Sequence, residues 1–574
     1  MEWQTKLQEW QKFQSLELDL KEQLAALSNP ADLEERFYRY PEFGTGGMRG
    51  ELGVGTNRIN IYTIKRVALG LAKYILESDD HSAERGVVIS YDNRHLSDLF
   101  ARWTARILAS KGIKVYLSDQ LRPTPELSFL VRHYQAFAGV MITASHNPKQ
   151  YNGFKVYGQD GGQITLETAA RLTAILEEIT NELSIQADLL TEYISEGLIE
   201  VFSSEADEWY LENLRLVTQN YEKVNMFGSQ LKIVYTPLHG TGRILVSQAF
   251  KRIGFSNLKL VKEQEFPDPD FSTVKSPNPE DPDAFELALK QALKNQSDLV
   301  IATDPDADRL GVIVFKDGKP IYLNGNQIGT LLLDYLIKEK KRKGENLADY
   351  FLAKTIVTSD LGVKIAEANG IQVRNTLTGF KFIGEQIELS EEQNDKRFLF
   401  GYEESYGYLI EPFVRDKDAI QAAVLLAEAA LDCQLSNSNL IDRLNMIYEE
   451  YGYYEEVLET KEFIRKNGIN QMNQLVENLR EKEFTSLADF ELIVKEDYVS
   501  ALKVDLVKGT QEKLLLPKSN VLRFVFKHNF WVCVRPSGTE PKFKIYYSVN
   551  APTQEKANEN MKALQAAFHQ LVQI

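Results

Sequence analysis

Residues 143–157 read TASHNPKQYNGFKVY, and the run before them, Phe137 to Ile142, is apolar throughout. A short apolar run bounded by a turn reads as a buried strand of a parallel sheet. Pro148 pushes the residue before it out of helical geometry, so the chain breaks into an irregular loop at Ser145-His146-Asn147-Pro148. Ser145 is thereby placed at the C-terminal end of a strand, where open α/β sheets present their ligands. Taken alone, Ser-His reads equally well as a polar turn. Three other stretches decide between the two.

The first, Asp304-Pro305-Asp306-Ala307-Asp308-Arg309, follows the apolar strand Leu299 to Ala302. Three carboxylates at alternate positions repel one another unless a cation lies between them, and a hard divalent ion such as Mg²⁺ prefers such oxygen ligands. The bland alternative is an acidic solvated turn. The second is Arg535-Pro536-Ser537-Gly538-Thr539-Glu540-Pro541-Lys542-Phe543-Lys544. Small hydroxyls, a glycine and flanking cations make a cup for phosphate, with backbone N–H groups and a bidentate arginine as donors. A β-turn with surface lysines would look similar. The third, Gly401-Tyr402-Glu403-Glu404-Ser405-Tyr406-Gly407, combines acids, a serine and aromatics as sites for sugar hydroxyls do, although an exposed acidic loop reads the same way.

In this order the four loops resemble the α-D-phosphohexomutase superfamily, and the resemblance covers nearly the whole chain. Gly44-Thr45-Gly46-Gly47-Met48-Arg49-Gly50 and the Glu403–Gly407 loop are most similar to the phosphoglucomutase and phosphomannomutase branch, and the length of 574 residues to its longer members. The resemblance implies four domains around one cleft: three related α/β domains with mixed sheets and a C-terminal α+β domain. It also implies a phosphoserine at Ser145, one Mg²⁺ held by Ser145, Asp304, Asp306 and Asp308, and Lys155 as general acid–base. His146 either orients the phosphoserine or shares the proton work, and Tyr151, Asn152 and Gly153 keep the loop turned between Ser145 and Lys155. Arg49 and Arg309 would supply charge that the metal does not cover. Arg535, Ser537, Gly538, Thr539 and Lys544 would bind the non-transferred phosphate. Glu403 and Ser405 would hold the sugar hydroxyls, and Thr378, Gly379 and Lys381 would line the same site. The activity implied is interconversion of glucose 1-phosphate and glucose 6-phosphate, with glucose 1,6-bisphosphate as intermediate and activator. Mannose or pentose phosphates, or bisphosphate synthesis from another donor, remain alternatives. The second acid of Glu403-Glu404 argues against the aminosugar branch, which typically carries Gln there.

Two rivals fit less well. Asp304-Pro305-Asp306 superficially resembles the aspartyl-phosphate motif of haloacid-dehalogenase phosphatases, but those need Thr or Val where this chain has Ala307, and the Ser145 and Arg535 loops would be left unexplained. A non-catalytic sugar-phosphate sensor would not need Ser145, three aspartates and Lys155 together.

Composition is that of an ordinary soluble globular protein, with 43% hydrophobic and 26% charged residues, and 574 residues exceed what one core serves, so three to four domains are expected. A formal charge of −16 argues against nucleic acid or an anionic membrane as partner. Cations must then be gathered locally, and Arg49, Lys155, Arg309, Lys381, Lys417, Arg535 and Lys544 all lie in or beside the loops named above. Arg415-Asp416-Lys417-Asp418 is either a further cleft cation or a solvated helix start. Cys433 and Cys533 are far apart in apolar segments, as buried free thiols in a reducing compartment would be. No run approaches the ~18 apolar residues of a membrane span. Met1 to Leu27 carries Trp3, Leu7, Trp10 and Leu16 near helical spacing, and reads as an amphipathic helix and not a signal peptide. A cytoplasmic monomer or homodimer acting on a small phosphosugar is expected.

A helix ending on glycine feeds a strand three times, at Gly112, Gly254 and Gly370. Each junction sits in a strand–helix–strand–helix–strand series: from Val87–Ser90 to the strand before Ser145, from Lys232–Tyr235 to the strand before Asp304, and from Thr355–Val357 to Phe398–Phe400 before Glu403. After a helix over Asp418 to Leu431 the pattern becomes antiparallel, with strands over Val521–Lys527, Trp531–Val534 and Phe543–Val549 and a helix over Gln554–Leu571. Domains are expected over residues 1–205, 206–322, 323–450 and 451–574.

Overall fold

A computed structural model describes residues 3–572 apart from 45, 80, 464–467 and 537–541. Four sheets succeed one another along the chain. In the first, Ala138–Ile142 and Val115–Ser118 flank Val87–Tyr91 in parallel, Ile199–Phe202 closes one edge, and Tyr151–Tyr157 turns back antiparallel to Ala138–Ile142. The second repeats this scheme: Ile233–Thr236 and Leu299–Thr303 are parallel, and Leu310–Lys316 returns antiparallel. The third pairs Tyr350–Thr355 with Arg397–Glu403 in parallel, then Gly407–Leu409 returns. Each chemical loop is therefore the hairpin that joins the last parallel strand to an antiparallel one. The fourth sheet is antiparallel throughout, with the helix Gln554–Val572 packed on it.

The central parallel strands Val87–Tyr91, Ala138–Ile142 and Leu299–Thr303 are buried on both faces, as their largely apolar runs require. Gly112, Gly254 and Gly370 end their helices at φ values of +76°, +122° and +72°, a region that costs other L-residues about 1–2 kcal/mol.

Three expectations need correction. The N-terminal amphipathic segment is two helices, Trp3–Lys12 and Leu18–Ala26. The Tyr62 hydroxyl occupies the break, donating to Ser15 O and accepting from Glu17 N, both at 3.1 Å, while Trp10, Leu16, Leu20 and Leu24 pack with Phe37 and Val54. The first strand of the third unit is Tyr350–Thr355, not Thr355–Val357. Ile356 and Val357 lie beyond it and join Tyr498, Trp531, Cys533 and Tyr546 in the apolar contact between third and fourth sheets. Tyr151, Asn152 and Gly153 are not part of a turned loop but begin the strand Tyr151–Tyr157, paired with Gly47–Glu51. Gly153 is needed there: a Cβ would lie 2.6 Å from Thr143 O and 2.7 Å from Met48 O.

Both cysteines are free and buried. Among the described residues no single helix is long and apolar enough to cross a membrane.

Candidate active site

The serine hairpin of the first sheet meets the aspartate hairpin of the second. Ser145 is buried and sits at φ +53°, a left-handed conformation rare for a residue with a side chain. Its N–H donates to Thr143 Oγ1 at 2.8 Å, and its hydroxyl donates to Asp304 Oδ2 at 2.8 Å. His146 Nδ1 lies 3.1 Å from the same hydroxyl. Burial, then Arg309 and Arg49, push His146 well below the usual histidine range, so its ring is neutral at neutral pH.

Two residues not anticipated from the sequence shape this loop. Arg94 donates to the carbonyls of Ser145 (2.6 Å), Pro148 (2.9 Å), Tyr151 (3.1 Å) and Asn147. Asp92 accepts from Thr143 Oγ1 at 2.6 Å and from Ser97 Oγ at 2.8 Å, and lies against Arg94. The available signal was charged residues just past the buried strand Val87–Tyr91, the same kind of position that singled out Ser145.

Asp304, Asp306 and Asp308 are all buried, and their ligand oxygens lie within 4.8 Å of one another. Asp304 Oδ1 accepts the N–H groups of Asp308 and Arg309, both at 3.0 Å. Asp306 Oδ2 takes Lys155 Nζ at 2.8 Å and Thr124 Oγ1 at 2.8 Å. Asp308 Oδ2 faces Lys417 Nζ at 3.1 Å and Lys155 Nζ at 3.4 Å. That leaves Asp306 Oδ1 and Asp308 Oδ1 buried without a hydrogen-bond partner among the described residues. Burial, reinforced by Asp308 and Asp306, drives Asp304 well above the usual carboxylate range. Burial also pushes Asp308 up, but Lys417, Lys155 and Arg309 outweigh it and hold Asp308 below that range. Two orphaned anionic oxygens beside a carboxylate of raised pKa fit a hard divalent cation.

The cations converge as expected in part. Lys155 lies on the strand Tyr151–Tyr157; burial would lower its pKa, yet Asp306 and Asp308 raise it above the ordinary value. Arg309 is paired with Glu280, a residue the sequence reading passed over. Arg49, on the strand Gly47–Glu51, reaches Asn147 Oδ1 at 2.9 Å and so belongs to the serine loop. Lys417 enters the site, whereas Arg415 turns away to Glu391 and Pro412 O.

Leu310 N donates to Tyr406 O at 3.1 Å, which joins the aspartate hairpin to the Glu403–Gly407 loop. Glu403 is buried; Gly379 N donates to its Oε1 at 2.9 Å, and burial lifts its pKa to about 7. Glu404 accepts from the Thr355 and Thr358 hydroxyls through Oε2, at 3.2 and 3.1 Å, and is less buried than Glu403. Ser405 is half-buried beside it, and Thr378 and Gly379 precede the helix Phe380–Glu392. Lys381, in that helix, lies buried over the Phe382 ring, and burial brings its ammonium down to about 8.

Arg535 and Lys544 are cross-strand partners in the fourth sheet. Burial and then Arg535 lower the Lys544 pKa, while Glu404 and Glu280 oppose the fall. The pair thus faces the second and third domains. Ser537, Gly538 and Thr539 lie outside the described residues.

A serine against three carboxylates, ringed by cations from four successive domains, is the constellation of a phosphoryl-transferring isomerase of the phosphohexomutase class. The chain belongs to the phosphoglucomutase/phosphomannomutase family: residues 41–183, 209–318 and 324–450 match its α/β/α domains I, II and III. It is 40% identical over 529 residues to a phosphoglucomutase of Staphylococcus haemolyticus, covering 92% of this chain and 94% of that one. It is 39% identical over 543 residues to a phosphoglucomutase of Staphylococcus aureus, covering 93% and 94%. Among solved structures it resembles a putative phosphomannomutase from Thermus thermophilus at TM-score 0.66 and 25% identity, covering 93% of this chain and 99% of that one. The open form of parafusin, a phosphoglucomutase from Paramecium, shares the fold at TM-score 0.65 and 17% identity, covering 91% and 93%.

Proposed function

We propose that the protein interconverts glucose 1-phosphate and glucose 6-phosphate through a phosphoserine at Ser145 and a glucose 1,6-bisphosphate intermediate. The observation that carries this reading is the Ser145 hydroxyl at 2.8 Å from Asp304, beside the two orphaned aspartate oxygens. Relatives near 40% identity that are named phosphoglucomutases support the choice of glucose.

In the first transfer the bond between phosphorus and Ser145 Oγ breaks as the 6-hydroxyl oxygen of glucose 1-phosphate bonds to the phosphorus. Lys155, held protonated by Asp306 and Asp308, gives its proton to the leaving Ser145 Oγ and takes the hydroxyl proton in its place, and the second transfer runs the same exchange between Ser145 and the sugar oxygen at C1. His146, neutral, orients Ser145 Oγ. Mg²⁺ bound by Asp304, Asp306, Asp308 and Ser145 would neutralise phosphoryl charge in a transition state whose stabilisation is mainly electrostatic. Arg49 and Arg309 supply charge from the serine and metal loops. Glu403 and Ser405 hold sugar hydroxyls, with Thr378, Gly379 and Lys381 along the wall. Arg535, Lys544 and the 537–539 segment hold the other phosphate, by charge and not by ring orientation, so the bisphosphate can turn end for end.

The test is a substrate panel with purified protein and Mg²⁺: glucose, mannose, ribose and glucosamine phosphates. Glucose 1-phosphate is expected to turn over faster than glucosamine phosphate. Equal or better turnover of the aminosugar would overturn the assignment, and mannose or ribose preference would move it to a sister activity.

A further inference from the structure

Asp306 is gripped from the first domain by a residue outside the phosphate, sugar and acid–base sets. Thr124 opens the helix Thr124–His133. Its N–H donates to Asp306 O at 2.9 Å and its hydroxyl to Asp306 Oδ2 at 2.8 Å. Lys155 shares that oxygen at 2.8 Å but also reaches Asp308 at 3.4 Å, and its stem is flexible. Thr124 is fully buried, β-branched and pinned through its own main chain, so its hydroxyl has little freedom to leave. The outcome is a division of labour within one carboxylate: Oδ2 is saturated by two donors, and Oδ1 is buried with no partner among the described residues.

We infer that Thr124 is a positioning residue that makes Asp306 a one-oxygen ligand and thereby tunes the metal site toward Mg²⁺ and against Ca²⁺. This rests on the divalent-cation reading of the aspartate loop. Mg²⁺ demands six near-octahedral ligands, whereas Ca²⁺ takes six to eight and accepts a carboxylate through both oxygens. A hydroxyl that occupies Oδ2 denies Ca²⁺ the second oxygen and costs Mg²⁺ nothing. Removing it leaves Oδ2 to Lys155 alone, whose flexible ammonium can shift to Asp308 and let the oxygen turn toward the cation.

Thr124→Val keeps the shape and the main-chain bond to Asp306 O but deletes the donor; Thr124→Ser restores it. Each protein is loaded with Mn²⁺, and the free-Mn²⁺ paramagnetic resonance signal is followed as Mg²⁺ or Ca²⁺ displaces it. The ratio of Mg²⁺ to Ca²⁺ affinity is expected to fall about tenfold in the valine variant, the scale of losing an outer-shell partner, and to return in the serine variant. An unchanged ratio, or equal loss of both ions, overturns the inference. If valine does not fold, Thr124→Ala reads the same ratio with the same two outcomes. Failure of the wild-type protein to bind Mn²⁺ would instead refute the metal reading itself.

Discussion

Ser145 Oγ and Asp304 Oδ2 lie 2.8 Å apart although 159 positions separate them in the chain. Two hairpins from different sheets bring them together, each leaving its sheet at the C-terminal end of a parallel strand. The contact ties the proposed phosphoryl carrier to the proposed metal loop.

Ser145→Ala is expected to abolish mutase turnover while the fold persists, because a loop serine contributes little to stability. Ser145→Gly should be equally inactive yet about 1 kcal/mol more stable than the alanine variant, since glycine tolerates φ +53°. Denaturant unfolding and an activity assay of the two variants check both parts. An alanine variant at least as stable as the glycine one would refute the strain.

Arg94 organises the serine loop through four carbonyls, a task that the three donors of a lysine on a flexible stem cannot reproduce. Arg94→Lys should lower kcat and speed amide exchange across residues 145–151, with divalent binding kept. Arg94→Met should destabilise by about 3–5 kcal/mol, because Asp92 is left buried without its charged partner. Hydrogen exchange and unfolding measurements decide.

Most of the parallel strands were legible because apolar runs and helix-ending glycines are local signals, although the first strand of the third unit lies at Tyr350–Thr355 and not at Thr355–Val357. Ser145, the three aspartates and Glu403 were legible as candidates because each lies at or just past the end of such a strand. Arg94, Thr124 and Glu280 were not, since their roles come from partners 29 to 182 positions away that no spacing encodes. The break in the N-terminal helix was hidden for the same reason: the Tyr62 hydroxyl that fills it lies over 40 positions on.

Glu403 accepts a hydrogen bond from Gly379 N through Oε1, and the proposed function assigns it to a sugar hydroxyl. Glu403→Gln should reduce kcat/KM about 10- to 100-fold, the weight of one or two hydrogen bonds to a charged group. Inorganic phosphate should inhibit as before, because the Arg535–Lys544 pair is untouched. Loss of phosphate inhibition would show that Glu403 supports the cup instead.

Glu456 is set by burial at a pKa of about 7, with Oε1 unpaired among the described residues. The folded-state value exceeds the unfolded one, so between roughly pH 4.5 and 7 the folded protein binds more protons, and stability falls as pH rises. Glu456→Gln should remove a decline on the order of 2–3 kcal/mol across that window. Urea midpoints at pH 5 and pH 8 measure it. The variant should gain on the wild type at pH 8 relative to pH 5, and an identical slope in both proteins would refute the assignment.

The phosphoserine cycle is tested most directly by removing the phosphoryl group from Ser145, verifying its loss by mass spectrometry, and assaying glucose 1-phosphate conversion with and without catalytic glucose 1,6-bisphosphate. An unphosphorylated serine has nothing to give a monophosphate, so no turnover is expected until the bisphosphate recharges it. Full activity without bisphosphate, from protein shown to be unphosphorylated, would contradict the cycle.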